Sequence, residues 1–130
     1  MLAIGEVARR AGVAPSALRY YERLGLLPEP GRVSGRRRYD EAILKRLRVI
    51  GFARECGFSL REIQQLFAGK PYSATLRGLA HRKLDEVAQA IQRFHAMREL
   101  LNSALRCRCL TLEQCAQQIE ARPPRRRAGA

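Results

Sequence analysis

Residues 4–28, IGEVARRAGVAPSALRYYERLGLLP, contain two short amphipathic segments separated by a glycine turn. In the first segment, Gly12 stands where the C-cap glycine of a helix is expected. Pro15 suits the first position of a second helix, and Gly25 with Pro28 ends it. Two short helices joined by a glycine-containing turn predict a helix-turn-helix.

The residues that follow predict a basic wing and two further helices. Residues 28–39, PEPGRVSGRRRY, are typical of an exposed two-stranded turn, here called the wing. Asp40 is predicted to cap a helix that ends near Gly57, and Ser59 with Glu62 forms a capping box for another. The inward positions predicted for these two helices are Ile43, Leu44, Leu47, Ile50, Phe52, Ile63, Leu66 and Phe67.

Beyond Pro71, apolar residues recur in steps of three and four, and Arg98 alone interrupts them. This heptad seam predicts a helix from about Leu76 to Leu105, roughly 45 Å long. The seam could pack on the N-terminal domain, but a helix of this length outreaches a domain of that size, so we predict a homodimer. The seam residues are Leu84, Val87, Ile91, Phe94, Leu101 and Leu105.

We therefore predict a mainly α fold with four parts. Residues 1–70 form a winged helix-turn-helix domain, and residues 75–106 form a dimerisation helix. Residues 107–121 hold cysteines on a loop and a short helix that Thr111 and Gln114 begin with a second capping box. Residues 122–130 form a basic disordered tail, because they have almost no apolar content to bury.

The charge of the chain indicates a polyanionic partner. Its 130 residues include 25 Lys and Arg against 12 Asp and Glu, a formal net charge of +13 that is shared about equally by the two halves. Such an excess favours phosphate contact and counterion release, so nucleic acid is the leading partner. No stretch approaches the ~20 apolar residues of a membrane span, which predicts a cytoplasmic protein with no membrane partner. No phosphate loop, zinc-protease motif or catalytic triad indicates an enzyme.

Two groups of residues are suited to reading DNA. The second helix would enter the major groove, and the wing would lie along the backbone or in the minor groove. An arginine triplet is usually only a solvated charge run, but the adjacent helix-turn-helix favours a role in DNA binding here. The predicted contacts are Ser16, Arg19 and Tyr20 in the helix and Arg36, Arg37, Arg38 and Tyr39 in the wing.

Three of the four cysteines, Cys107, Cys109 and Cys115, cluster just after the long helix. A disulfide framework is not expected in a reducing cytosol, whereas three neighbouring thiolates suit a soft, thiophilic metal ion. Cys115 could instead be a small apolar residue that packs in a helix cap. Cys56 is assigned a structural, packed role, with redox sensing as the alternative. His81 and His95 are interpreted as surface residues of the long helix.

Residues 1–70 resemble the MerR family of transcriptional regulators. The resemblance rests on IGEVARRAGV, LRYYERLGLLPEP and SGRRRYDEAILKRLRVIGFARECGFSLREIQQLF, in this order. It implies a long antiparallel coiled-coil dimerisation helix, a C-terminal effector region and a palindromic operator within an overlong promoter spacer. It also implies that DNA distortion realigns the promoter for RNA polymerase. The resemblance assigns DNA contacts to Arg19, Tyr20, Arg37 and Tyr39, whereas Arg36 stands where the family more often has a tyrosine.

The cysteine spacing C-x-C-x5-C is similar to the last three ligands of SoxR, the iron–sulfur regulator of this family. The additional ligand of SoxR would fall at Ala104, and a [2Fe–2S] cluster normally needs four cysteines. We therefore expect a regulator that senses a thiophilic metal ion, with an iron–sulfur or thiol redox sensor as the next hypothesis. An architectural DNA-bending protein that needs no effector, similar to phage excisionases, is the other alternative.

Overall fold

The computed structural model describes residues 1–122, so the predicted basic tail lies outside the described residues except for Arg122. The chain folds as two compact units, Met1–Lys83 and the part from Leu84 onward. Helices dominate both units, which confirms the mainly α fold class. None of the described helices is long and apolar enough to cross a membrane.

The first unit begins with the predicted helix-turn-helix, α1 (Ile4–Ala11) and α2 (Pro15–Arg23). Gly12 ends α1 in the left-handed conformation, at φ 70°, and its N–H donates to the carbonyl of Ala8. Pro15 is the first residue of α2 as predicted, and Ala14 before it gives no side-chain cap. Packing must therefore stabilise this helix, and Leu18 on its inner face is fully buried.

The wing is part of a three-stranded antiparallel sheet of β1 (Leu2–Ala3), β2 (Gly31–Val33) and β3 (Arg36–Tyr39), in the order β1-β3-β2. Its hairpin turn is Ser34–Gly35, and both residues have positive φ, 51° and 77°. Two-residue turns of this kind match the twist of paired strands. β1 was not predicted; it pairs Leu2 with Tyr39.

Two helices complete the domain, α3 (Ile43–Glu55) and α4 (Leu60–Ala68). The capping box that begins α4 is confirmed, since Ser59 and Glu62 each accept the other's backbone N–H. Asp40 lies farther from α3 than predicted: its carboxylate accepts the N–H of Ala42 at 2.9 Å, and the helix begins one residue later. The inward position predicted for Phe52 is wrong, because its side chain is 69% exposed.

The core of the first unit draws on every helix in it. It includes Leu79 near the start of α5 (Tyr72–Arg106), a 35-residue helix that begins three residues before the predicted dimerisation segment. The second unit contains the rest of α5 and α6 (Leu112–Glu120), whose first turn is capped by Thr111 as predicted. The second half of the predicted capping box is wrong, because the Gln114 side chain accepts the N–H of Leu110 and not that of Thr111. The largest fully buried side chains are Tyr39, Leu18, Leu26, Ile50, Ile63 and Val7.

Candidate nucleic-acid interface and cysteine loop

The outer face of α2 presents the side chains that were predicted to enter the major groove. Ser16, Arg19 and Tyr20 are exposed, and the guanidinium of Arg23 lies 5.6 Å from the centre of the Tyr20 ring. Leu18 and Tyr21 face the core, fully and partly buried. Adjacent tyrosines therefore have different environments, and the Tyr20 hydroxyl is the one available to a phosphate.

The wing arginines alternate between the two faces of β3. Arg36 is exposed, and Arg38, two residues on, is partly exposed. Arg37 shares the other face with Tyr39, and its Nε lies 3.4 Å from Oε2 of Glu22 in α2. This nitrogen is buried and has no hydrogen-bond partner in the described part of the chain, so the contact with Glu22 is an ion pair without hydrogen-bond geometry.

Tyr39 does not occupy the surface position that a DNA contact would require. Its side chain is 1% exposed, and its hydroxyl donates to Oε1 of Glu22. Burial raises the pKa of the Tyr39 phenol well above its usual range, and the hydrogen bond and charge of Glu22 raise it further. Its ring belongs to the hydrophobic core with Leu18 and Leu26, and its backbone pairs with Leu2 of the unpredicted strand β1. The structure therefore places Tyr39 in the core.

Two long-range hydrogen bonds from side chains hold the residues just after α2 on the domain. The Arg46 guanidinium donates from Nε to the carbonyl of Leu26 at 2.5 Å and stacks 4.5 Å from the Phe67 ring centre. Gln64 donates from Nε2 to the carbonyl of Leu24, also at 2.5 Å. Sequence reasoning missed Glu22, Arg46 and Gln64. The signal available was that each polar residue stands beside an inward-facing position of its helix.

The cysteine loop, residues 107–115, brings its three thiols together. The backbone N–H of Cys109 donates to Sγ of Cys107 at 3.3 Å, and the Cys107 and Cys115 thiols are both close enough to raise the pKa of the Cys109 thiol. The Cys109 thiol and amide lower the pKa of Cys107, whereas the same thiol contact raises the pKa of Cys109 to about 11. Cys107 is thus the thiol of this pair that loses its proton first.

The donor set fits some metal centres better than others. Three soft sulfurs suit a thiophilic ion in type and number. Ala104 occupies the position of the fourth ligand that a [2Fe–2S] cluster would need. Among residues 1–122, no group of three or more His, Cys, Asp or Glu side chains already has an arrangement that could hold a metal ion. An open cavity of about 920 Å³ beside the loop is lined by Cys107, Cys115, Arg106 and Arg122, among others.

The remaining predicted residues lie apart from this loop. Cys56 is exposed at the end of α3, so the packed position predicted for it is wrong. His81 and His95 are exposed on α5 as expected, and Nδ1 of His95 lies 2.8 Å from Nη2 of Arg98.

Comparison with known proteins places this chain among transcription regulators. Residues 2–70 match the MerR HTH family of regulatory proteins, and residues 44–104 match the family described as MerR, DNA binding. A SoxR homolog of Chromobacterium violaceum, an HTH-type transcriptional activator, is 33% identical over 119 residues, which are 88% of this chain and 80% of that one. The mercuric resistance operon regulatory protein of Serratia marcescens is 38% identical over 104 residues, 78% and 72% of the two chains.

Two solved structures are similar in fold. The transcription regulator PbrR691 of Ralstonia metallidurans CH34, in complex with lead(II), gives a TM-score of 0.73 at 32% identity, covering 87% of this chain and 93% of that one. HiNmlR, a MerR family regulator lacking the sensor domain, was solved bound to promoter DNA. It gives a TM-score of 0.52 at 25% identity and covers 79% and 86% of the two chains.

Proposed function

Because the chain belongs to the MerR family of helix-turn-helix regulatory proteins, we propose that it is a homodimeric promoter switch that responds to a thiophilic metal ion. DNA-binding transcription regulation is the role of the family. The dimer, the signal and the residues that serve each are our proposal. The observation that supports the signal best is the proximity of three thiols in the cysteine loop, where the Cys109 N–H donates to Cys107 and both neighbouring thiols raise the pKa of Cys109.

Exposed polar residues of α2 and the wing would make the DNA contacts. Ser16 and Arg19 are suited to base edges, and Tyr20, Arg36 and Arg38 to phosphates. Arg37 would reach the backbone from the position that its ion pair with Glu22 sets. Tyr39, which is buried, is left out of this surface and supports it from within.

An unpartnered apolar seam on α5 supports the dimer. Its members are between 44% and 85% exposed in the single chain, far more than such residues are in a folded core. A second copy of the helix, antiparallel as the family resemblance implies, would bury them along the whole seam. The seam comprises Leu84, Val87, Ile91, Phe94, Leu101 and Leu105.

The cysteine loop would bind the ion through the thiolates of Cys107, Cys109 and Cys115. Metal-responsive relatives support this role, since one regulates mercuric resistance and another was solved with lead(II). Because no complete ligand arrangement is present in residues 1–122, the loop must close to bring all three sulfurs onto one ion. Arg106 and Arg122, which line the adjacent cavity, would offset the negative charge of the thiolates.

The output would be a change in DNA shape. A dimer on a palindromic operator would untwist or bend the promoter when the loop is occupied, and RNA polymerase would then read the realigned promoter elements. This part of the proposal rests on the family resemblance and on the two-fold symmetry that a homodimer imposes on its operator.

Metal titration of the reduced protein tests the signal. Thiolate-to-metal charge-transfer absorption should appear with mercury(II) or lead(II) and saturate at a fixed stoichiometry. Cys107→Ser should lose it, whereas Cys56→Ser should retain it, because this exposed thiol follows α3 in the other unit. Binding that survives the combined loss of the three loop cysteines contradicts metal sensing at this loop.

An iron–sulfur sensor is the second candidate, and the similarity to a SoxR homolog favours it. Ala104 at the fourth-ligand position speaks against it. The visible spectrum and iron content of protein purified without oxygen distinguish the two: a cluster absorbs strongly in the visible range, and an empty thiol loop does not. Sedimentation of the same sample tests the architectural alternative, because a monomer without metal affinity would support that hypothesis over a dimeric sensor.

A further inference from the structure

Glu22 is an acidic, largely covered residue in the basic domain that is proposed above to approach phosphates. It is the one carboxylate in α2, and its side chain is only 10% exposed. A negative charge there repels DNA, and desolvating a carboxylate is itself unfavourable. A residue with both costs needs a compensating function, and its contacts indicate what that function is.

Both oxygens of the carboxylate contact the wing. Oε1 accepts the hydroxyl of Tyr39, and Oε2 lies 3.4 Å from Nε of Arg37. These two residues are spaced by two along β3, so they share one face of that strand. One side chain of the recognition helix α2 thus contacts two side chains of the wing, in a region where low exposure strengthens the electrostatic interaction.

We propose that Glu22 is a positioning residue for DNA binding, which fixes the wing relative to α2 so that both elements meet the duplex in one geometry. Glu22 does not contact DNA in this proposal; it acts through Arg37 and Tyr39. Holding two binding elements in their bound arrangement removes the entropy cost of ordering them at the moment of binding. The inference rests on the DNA-binding role proposed above for α2 and the wing.

Electrostatics and positioning predict opposite signs for Glu22→Gln. Removing one negative charge from the face that meets DNA should tighten binding if Glu22 is only a charge near phosphates. It should weaken binding if Glu22 positions the wing, because an amide cannot form the ion pair with Arg37. The matched control is Glu29→Gln, which removes the same charge from an exposed residue that precedes both strands of the wing hairpin and is not among the predicted DNA contacts.

The experiment uses a DNA site selected from a random pool by the full-length wild-type protein. Affinities for this site and for random duplex DNA are measured over a salt series for wild type, Glu22→Gln, Tyr39→Phe and Glu29→Gln. We expect Glu22→Gln to lose about tenfold for the selected site and much less for random DNA. Tyr39→Phe should lose severalfold, and Glu29→Gln should bind as tightly as wild type or tighter.

Thermal unfolding and a double-mutant cycle separate positioning from a general loss of fold. A structural defect lowers binding to all DNA together with the unfolding midpoint, whereas positioning lowers the ratio of selected to random binding at an unchanged midpoint. Glu22→Gln should matter less when Arg37 is already methionine, since the two act as a unit. Wild-type or tighter binding to the selected site by Glu22→Gln overturns the proposal, and so does wild-type discrimination by Tyr39→Phe.

A wild-type protein that selects no sequence would contradict the DNA-reading role itself, and the positioning role with it. A wild type that selects a site, together with a Glu22→Gln variant that still discriminates fully, contradicts only the positioning role. The two failures are therefore distinguishable in one set of measurements.

Discussion

The two units of this chain differ in how much of their apolar side-chain surface is buried within the single chain. In Met1–Lys83, apolar residues from α1 to the start of α5 are buried together, and even the acid Glu22 has partners. From Leu84 onward, the large apolar side chains are mostly exposed, including Leu105 at 85% and Leu110 at 89%. The first unit is complete as a single chain, whereas the second has a surface suited to a partner and thiols suited to a ligand.

The largest expected effect comes from a charge in the seam. Ile91→Glu would place a carboxylate of each protomer in the apolar dimer interface, so the dimer dissociation constant should rise at least about a thousandfold. Analytical ultracentrifugation measures it. Gln89→Glu, an equal charge on an exposed residue outside the seam, should leave the dimer intact. An Ile91→Glu protein that remains dimeric would contradict the seam as the interface.

The next largest effect is expected from truncating an apolar side chain, which should destabilise the first unit far more than the second. Ile63 is 1% exposed in the first unit, so Ile63→Ala should lower the free energy of unfolding by about 2–5 kcal/mol. Leu105→Ala, made like Ile63→Ala in the monomeric Ile91→Glu background, should change it by less than about 0.5 kcal/mol. Urea denaturation followed by circular dichroism compares them. Equal effects at the two positions would show that the second unit has its own core within one chain.

A smaller effect is expected in the relative reactivity of the thiols in the cysteine loop. Because the pKa of Cys107 is lowered and that of Cys109 is raised to about 11, Cys107 should be alkylated at least about tenfold faster at pH 8. Mass spectrometry of protein treated briefly with iodoacetamide measures the two rates. Exchanging Cys109 for alanine should slow the alkylation of Cys107, since no side-chain hydrogen bond then lowers the pKa of this thiol.

The smallest effect is the pH dependence contributed by Glu62. The Ser59 amide and the Lys83 ammonium, 2.9 Å away, lower the pKa of this carboxyl. A lowered pKa gives stability that is present above the unfolded value of about 4.3 and lost as the pH falls through the folded value. Wild type should therefore lose more stability than Glu62→Gln between about pH 5 and pH 3, measured by thermal unfolding.

Local signals explain why the first unit could be predicted from its sequence in outline. Gly12, Pro15 and the pair Ser59–Glu62 each act within one turn of chain, and the structure has all of them as predicted. Tyr39 was assigned to the surface because its position in the core depends on residues distant in the sequence, among them Glu22 in α2 and Leu2 in β1, a strand too short to show a pattern. Pairings this distant have no signature in the neighbouring sequence.

The misplaced single residues have similar causes. Phe52 lies on α3 and Cys56 directly follows it, where apolar and small residues suggested burial, but both side chains are exposed. Glu22 was overlooked because it stands in the sequence RYYER, residues 19–23, and such a mixture of charged and polar residues is typical of a solvated helix surface. Its function depends on which residues of the wing fold against it, and only tertiary structure brings them together.

The two-residue turn at Ser34–Gly35 also limits how the wing can evolve. Arg37 and Tyr39 share one face of β3, and Arg36 and Arg38 share the other. A register slip of one residue along β3 would exchange these faces, turning Tyr39 outward and an arginine toward the core. A slip of two residues would restore the alternation. The interior of the domain thus fixes the register of the wing, and any added length has to be taken up in the turn at Ser34–Gly35.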